Sequence, residues 1–371
     1  MQIVLKEDAQ QLQEEVVVGY GTAKKVNLVG AVDQIDSKQI AERSNSNISR
    51  SLQGMVPGLN ITFSDGKPSR TPSINLRGTG SIGAGGSALV LINGVEGDLN
   101  SVNPADVESV SVLKDASSAA IYGARGAFGV ILVTTKNATA GKTKINYNGS
   151  FSMHQRTVKT EDGIVSNGLQ WTDGWYTAYL EGQEAPPGGI NNVFKYSTDW
   201  YNELVRRDAD PSLDKVRVND KGEYEYFGNT NWLDIIYKDQ NYSTEHNVSI
   251  SGGNERARYY VSGRYYNQDG IYNAGDEKYT QYNIRSKGEI QINKSLWLEN
   301  NTDVMIFRSH QPMVMYDRQN ITRQAQHQGY PVTMEKNPDG TWTEAAVYIG
   351  WAGFVEGTSW QKHNKLDVRN T

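Results

Sequence analysis

Cysteine is absent from the 371 residues. That absence removes disulfides, zinc-thiolate sites, iron–sulfur clusters and thiol catalysis together. Histidine is scarce, and His154, His246, His310, His327 and His363 fall in no HExxH or other metal-ligand spacing. No GxSxG elbow is present, and spacing singles out no catalytic pair among the carboxylates. Neither an enzyme, nor a metal, nor a cofactor is expected. Positive charge is also in deficit: 37 Lys and Arg stand against 42 Asp and Glu, a net charge of −5. Overall charge therefore gives no support to a nucleic-acid partner, and it leans weakly against a strongly acidic ligand. No apolar run approaches the ~18 residues of a membrane helix. The longest are Ala88–Asn93 (ALVLIN) and Gly129–Val133 (GVILV). Helical membrane proteins are excluded, but a transmembrane barrel is not, because its signal is alternation. No secretory leader is visible either; Met1–Leu5 (MQIVL) reads as the end of a strand.

Glycine (37), tyrosine (21) and asparagine are abundant, and aromatics reach 10%. That profile suits many strands and turns whose side chains serve both wet and apolar surroundings. Three zones follow along the chain. Residues 1–30 form a polar leader holding EEVVVGY (Glu14–Tyr20), in which Val16, Val17 and Val18 make a short β-branched run. Residues 31–140 read as a compact α/β unit. Its strand candidates are Ala88–Asn93, Ser109–Leu113 and Val130–Thr135. Its helix candidates are Asp36–Glu42, Ile48–Met55, and Ala116–Tyr122 opened by Asp115 and closed by Gly123. The glycine-rich Arg77–Gly86 (RGTGSIGAGG) lacks the Gly-Lys-Ser/Thr of a phosphate loop. It reads as a tightly turned loop.

Residues 141–371 change character. Tyr282, Ile284, Ile290 and Ile292 alternate with Asn283, Arg285, Glu289 and Gln291, which is period two over about a dozen residues. Similar alternation predicts strands over 144–153, 246–251, 256–268, 279–292 and 295–307. One face is aromatic and aliphatic, the other heavily polar. Strands this long fit a barrel in lipid, apolar outward and polar toward a wet lumen. A large soluble sandwich is the alternative, although its strands are usually shorter. Tight turns follow the second and fourth strands; long connections over 154–245 and 308–360 follow the first and fifth. This parity is that of outer-membrane barrels, with short periplasmic turns and long extracellular loops. The long loops are rich in aromatics. Trp171, Trp175, Tyr176, Trp200, Tyr201 and Trp232 are candidates for stacking on sugar rings, or else fillers of small loop cores.

The segment NPADVESVSVLKDASSAAIYGARGAFGVILVTTK (Asn103–Lys136) closely resembles the plug signature of TonB-dependent outer-membrane transporters of the SusC/RagA type. SLQGMVPGLNIT (Ser51–Thr62), INLRGTG (Ile74–Gly80) and LVLINGV (Leu89–Val95) resemble the same plug. NTNWLDIIYKD (Asn229–Asp239) and HNVSISGGNERARYYVSGRYYNQDGI (His246–Ile271) resemble the first barrel hairpins. The resemblance implies an α+β plug domain followed by the first strands of a transmembrane antiparallel β-barrel of about 22 strands. On this reading the chain is an N-terminal fragment: leader, plug, and a partial barrel from 141 onward. The implied function is TonB-dependent import of an oligosaccharide, or of peptides, with a surface adhesin or lectin as the alternative. The implied location is the bacterial outer membrane, in contact with its lipid. The implied partners are the TonB C-terminal domain and a SusD-like surface lipoprotein over the extracellular loops. Glu14, Glu15, Val16, Val17, Val18, Gly19 and Tyr20 match the position of the TonB box, where β-augmentation would add a strand to TonB. The alternative makes these valines the first strand of the plug. Plug contacts are expected from Arg77, Gly78, Lys114, Asp115, Tyr122, Gly123, Arg125 and Gly126. The charged members would pair with each other or with lumen carboxylates, and the glycines would serve turns.

Overall fold

The computed structural model describes residues 15–18, 21–24, 32–41, 47–63, 71–76, 87–114, 119–157, 164–190, 196–313 and 321–370. In the leader, β1 (Glu15–Val18) pairs antiparallel with β2 (Gly21–Lys24), with Val18 opposite Gly21. Val16–Val18 are therefore paired, within a two-stranded ribbon separate from the plug sheet. Glu14, Gly19 and Tyr20 lie outside the described residues.

The plug contains β3 (Val32–Asp36), β4 (Leu59–Thr62), β5 (Ser73–Leu76), β6 (Leu89–Ile92), β7 (Val95–Glu96), β8 (Val107–Leu113) and β9 (Val130–Thr135). Five of them form one sheet in the order β3-β8-β9-β6-β7, and only β6 and β9 run parallel. Both faces of this sheet are covered. Ile35, Val110, Val112, Ile131 and Val133 pack against the short helices Ser37–Ala41 and Ile48–Leu52. Leu91, Leu113, Val130 and Leu132 form a second apolar layer with Ala119. A strand buried on both faces reads as a continuous apolar run, which is why VILV stands out in the sequence. Asn47 caps the second helix, its side-chain oxygen accepting from the Arg50 amide at 3.0 Å.

One element differs from expectation. The stretch predicted as a helix closed by Gly123 is 3-10 in type, two short turns within Ala120–Gly126 that meet at Gly123. Gly123 sits at φ 60, ψ −146, a region essentially reserved for glycine, so the first turn does end there and a second one follows. Asp115 and residues 116–118 lie outside the described residues.

The wall begins with β10 (Gly141–Gln155). After a long loop holding the small hairpin β11 (Val216–Val218) and β12 (Tyr224–Tyr226), it continues with β13 (Gln240–Gly253), β14 (Ala257–Asp269), β15 (Lys278–Asn293), β16 (Leu296–Pro312) and β17 (Trp360–Asn370). These six wall strands form one antiparallel sheet in the order β10-β13-β14-β15-β16-β17. Their 11 to 17 residues reach or exceed the roughly 9–11 that cross a bilayer. Residues 254–256 and 294–295 turn at one end; 156–239, 270–277 and 313–359 connect at the other.

Adjacent residues face opposite ways. Ile284 is 54% exposed, whereas Arg285 beside it is 1% exposed. Ile145, Tyr147, Phe151, Val248, Ile250, Val261, Leu298 and Val368 share the outward face, while Gln281, Asn283, Ser262 and Arg264 are buried on the inward one. A soluble sandwich would reverse this arrangement. Met305 and Phe307 are the apolar exceptions on the inner face, where they cluster with Tyr266 and Tyr279.

The two long loops fold around shared cores. Trp200, Leu204 and Phe227 from the first loop bury Val332 from the second. Trp232 and Ile236 pack with Ile321, Ile349, Trp351 and Phe354. Main-chain bonds join the loops directly: the Gly228 and Thr230 amides donate to the Val332 and Pro331 carbonyls at 2.8 and 2.9 Å.

Candidate functional site

A seam of hydrogen bonds joins the plug to the inner face of the wall. Its centre is Asp106, the last residue of a 3-10 turn (Pro104–Asp106) capped by Asn103. Pro104 presets the turn and Asn103 accepts its first amide, so the carboxylate is delivered at the edge of β8 in fixed geometry. Tyr260 donates to Asp106 Oδ1 at 2.8 Å, and Ser262 donates to Oδ2 at 2.7 Å. Asn103 Nδ2 adds a third bond at 3.2 Å. Burial pushes the Asp106 carboxyl above its ordinary range. The hydroxyls of Ser262 and Tyr260, the charge of Arg285 and the Asn103 amide pull it back.

The seam extends either side of this point. Gln281 Nε2 and Asn283 Nδ2 donate to the carbonyls of Asn100 and Ser101, at 3.3 and 2.8 Å. Lys287 donates to Asn137 Oδ1 at 2.7 Å, and Lys365 reaches Asp98 at 3.4 Å. Behind them the wall is cross-braced by its own charges. Asp303 lies between Arg285 at 3.1 Å and Arg369 at 3.3 Å, and Arg264 pairs with Glu245 at 2.8 Å. Among the described residues the plug is thus held by polar contacts that water can replace, rather than by a shared apolar core.

The plug residues named from sequence occupy other places. Lys114 pairs with Asp33, and Arg125 pairs with Glu96. Both partners belong to the plug, and neither pair reaches a wall carboxylate. Tyr122 packs on the second apolar layer of the plug. Gly126 is required by space: a Cβ there would lie 2.8 Å from the Ala119 carbonyl oxygen. Arg77 and Gly78 lie outside the described residues. Sequence reasoning missed Asp106, Asp98, Asn100, Ser101 and Asn137. A signal existed for the first: in NPAD, a cap and a proline place an acid immediately before an apolar strand.

The loop aromatics divide. Trp200 and Trp232 are buried in the two loop cores, so they are fillers and not surfaces for a ligand. Their indole N–H groups are engaged as well, Trp200 with the Tyr226 carbonyl and Trp232 with Thr333. Trp171 stacks on Tyr330 with centroids 5.1 Å apart. Tyr176 meets Tyr201 edge-on at 5.5 Å. Tyr201 donates to Asp173 at 2.7 Å, and that bond, with burial, pushes its hydroxyl up to about 12. Trp175, 47% exposed, is the one of these six aromatics that presents a large open face. Among the described residues no group of three His, Asp or Glu is placed to hold a metal. No described helix is long and apolar enough to cross a membrane, which says nothing of strands.

Comparison with known proteins agrees with this geometry. Residues 24–130 match the TonB-dependent Receptor Plug Domain. The TonB-dependent receptor SusC of Bacteroides thetaiotaomicron is 33% identical over 282 residues, covering 73% of this chain and 24% of that protein. TonB-dependent receptor P3 of Formosa agariphila is 31% identical over 294 residues, covering 79% of this chain and 24% of that protein. The RagAB peptide importer in its open-open state superposes with a TM-score of 0.62 at 28% identity, over 82% of this chain and 33% of that one. The chain therefore spans about a quarter of the length of the curated relatives it matches. On these matches, this chain belongs to the SusC/RagA type of TonB-dependent receptors.

Proposed function

We propose that this chain supplies the plug and part of the wall of a transporter that imports oligosaccharides across the bacterial outer membrane, driven by TonB. The observation that carries the reading is the orientation of the wall. Apolar side chains point outward, as lipid requires, and the polar inner face grips a plug through Asp106 and its neighbours. A plug held by such contacts can be loosened without exposing an apolar core. The leader faces the periplasm, on the side of the short turns. There one edge of β1 is taken by β2, and the other, with no strand partner among the described residues, would add a strand to TonB through Val16–Val18. A SusD-like lipoprotein covers the long loops from outside.

Oligosaccharides are favoured by the open face of Trp175 and the Asn- and Asp-rich loops around it. Peptides are the second reading, supported by likeness to the RagAB peptide importer. The test is deletion of Glu14–Tyr20 in the full-length protein, with glycans or peptides supplied as sole carbon source. Growth on the transported class should cease while surface expression is kept. Uptake persisting at the wild-type rate would overturn energised import and favour a surface adhesin.

A further inference from the structure

A cavity of about 340 Å³ lies where the long-loop ends of β10, β13 and β14 meet the plug. Its volume is at the lower end of small-molecule sites, about 300–1,000 Å³, so it suits one or two sugar residues and not a chain. Its charge is the reverse of the protein's. Arg50, Arg156 and Lys238 line it against a single lining carboxylate, Asp239. Arg50 belongs to the plug and is fixed with its guanidinium 4.3 Å above the Phe63 ring. Arg156 is fixed by Asp234 and Asp239, which accept from Nη2 at 3.0 and 2.6 Å.

Two buried polar atoms at this cavity have no hydrogen-bond partner among the described residues: Arg156 Nη1, a donor, and Asn241 Oδ1, an acceptor. The Asn241 amide nitrogen already donates to the Asp269 carbonyl at 3.3 Å, which leaves the oxygen for something else. A buried donor and a buried acceptor left unmade cost about 1–3 kcal/mol each, so such atoms mark a place where a partner belongs. Arg156 Nη1 asks for an acceptor and Asn241 for an O–H or N–H donor; Asp234 and Asp239 already balance the Arg156 charge, so the pull on an anion comes from Arg50 and Lys238. A carboxylate flanked by a hydroxyl meets both demands.

We propose that this cavity is a subsite for a uronate residue, so that the imported oligosaccharide carries carboxylates. The assignment rests on the oligosaccharide reading above, and it replaces the expectation that net charge disfavours acidic ligands. The plug supplies Arg50, so an occupied subsite bridges plug and wall.

The test is calorimetric titration of the full-length receptor with three probes: a trigalacturonate, its carboxyl-reduced trisaccharide, and an acidic tripeptide. The trigalacturonate should bind about tenfold tighter than the reduced sugar. Asn241→Asp should abolish that preference by placing a carboxylate against the ligand's own. Lys238→Gln, at a side chain with no bonded partner among the described residues, should narrow it. Both variants should weaken the trigalacturonate more than the reduced sugar. Equal affinity for the two glycans would overturn the uronate assignment and leave oligosaccharide import standing. Binding of the peptide alone, or of no probe, would overturn both.

Discussion

Replacing Asp106 with alanine tests whether the seam is what seats the plug. The substitution removes the acceptor of the Tyr260 and Ser262 hydroxyls, both on the wall, and of Asn103 within the plug. A buried hydrogen-bonding group left unsatisfied costs about 1–3 kcal/mol, so the two wall hydroxyls place about 2–6 kcal/mol at risk. Relief of the buried charge offsets part of this loss, which brings the net effect to about 2–3 kcal/mol. Read as amide hydrogen exchange of β8 and β9 in the full-length protein, that is a loss of protection of about 30- to 150-fold. Asp106→Asn, which keeps the shape and one acceptor oxygen, should lose less. The pH dependence has a definite sign. Burial raises the carboxyl of the folded protein, so docking gains most below the usual carboxylate range. The gain is lost as pH rises through the folded-state value. Wild-type plug protection should therefore be higher at acid pH than at neutral pH, and the asparagine variant should lack this component. Unchanged protection in Asp106→Ala would refute the assignment of the seam.

Three further substitutions probe the wall and the plug. Ile284→Arg puts a charge on the outward face of β15, one residue from buried Arg285; urea titration of the full-length protein folded into lipid vesicles should show a loss of about 2–4 kcal/mol, and no loss would mean that this face does not meet lipid. Gly129→Ala forces a side chain onto φ 91 and sets a Cβ 2.2 Å from the Leu76 side chain, so the plug should lose about 1–3 kcal/mol by hydrogen exchange, whereas Gly288→Ala, with nothing within 4 Å, should be neutral.

The wall was the most legible part of the sequence, because one buried and one exposed face impose period two whatever the loops do. Its strand ends were not. The strand predicted over 246–251 begins at Gln240, since Gln240–Glu245 is polar enough to resemble loop. The plug strands were legible for the opposite reason, as unbroken apolar runs buried on both sides. The seam was not legible. Asp106 and Tyr260 are 154 residues apart, and no local pattern announces a hydrogen bond over that distance. The charges that drew attention, Lys114 and Arg125, brace the plug internally. Aromatic residues in loops gave the same difficulty. Composition cannot distinguish Trp200, which fills a core, from Trp175, which faces outward, because both are simply tryptophan in a polar context.

The place of β3 in the plug sheet has a mechanical consequence. It is the first strand of that sheet in the chain, and it sits at the sheet's edge, held only along β8 by the register Val32↔Leu113 to Asp36↔Ser109. Tension applied upstream of Val32 meets this strand before any other. Peeling it away costs one edge ladder, the Lys114–Asp33 pair and the packing of Ile35 on the plug core, and it leaves β8-β9-β6-β7 intact. The Asp106 anchor, just before β8, then lies one step further along the line of force. The plug is thus placed to yield in sequence along the chain, the β3 ladder ahead of the Asp106 anchor.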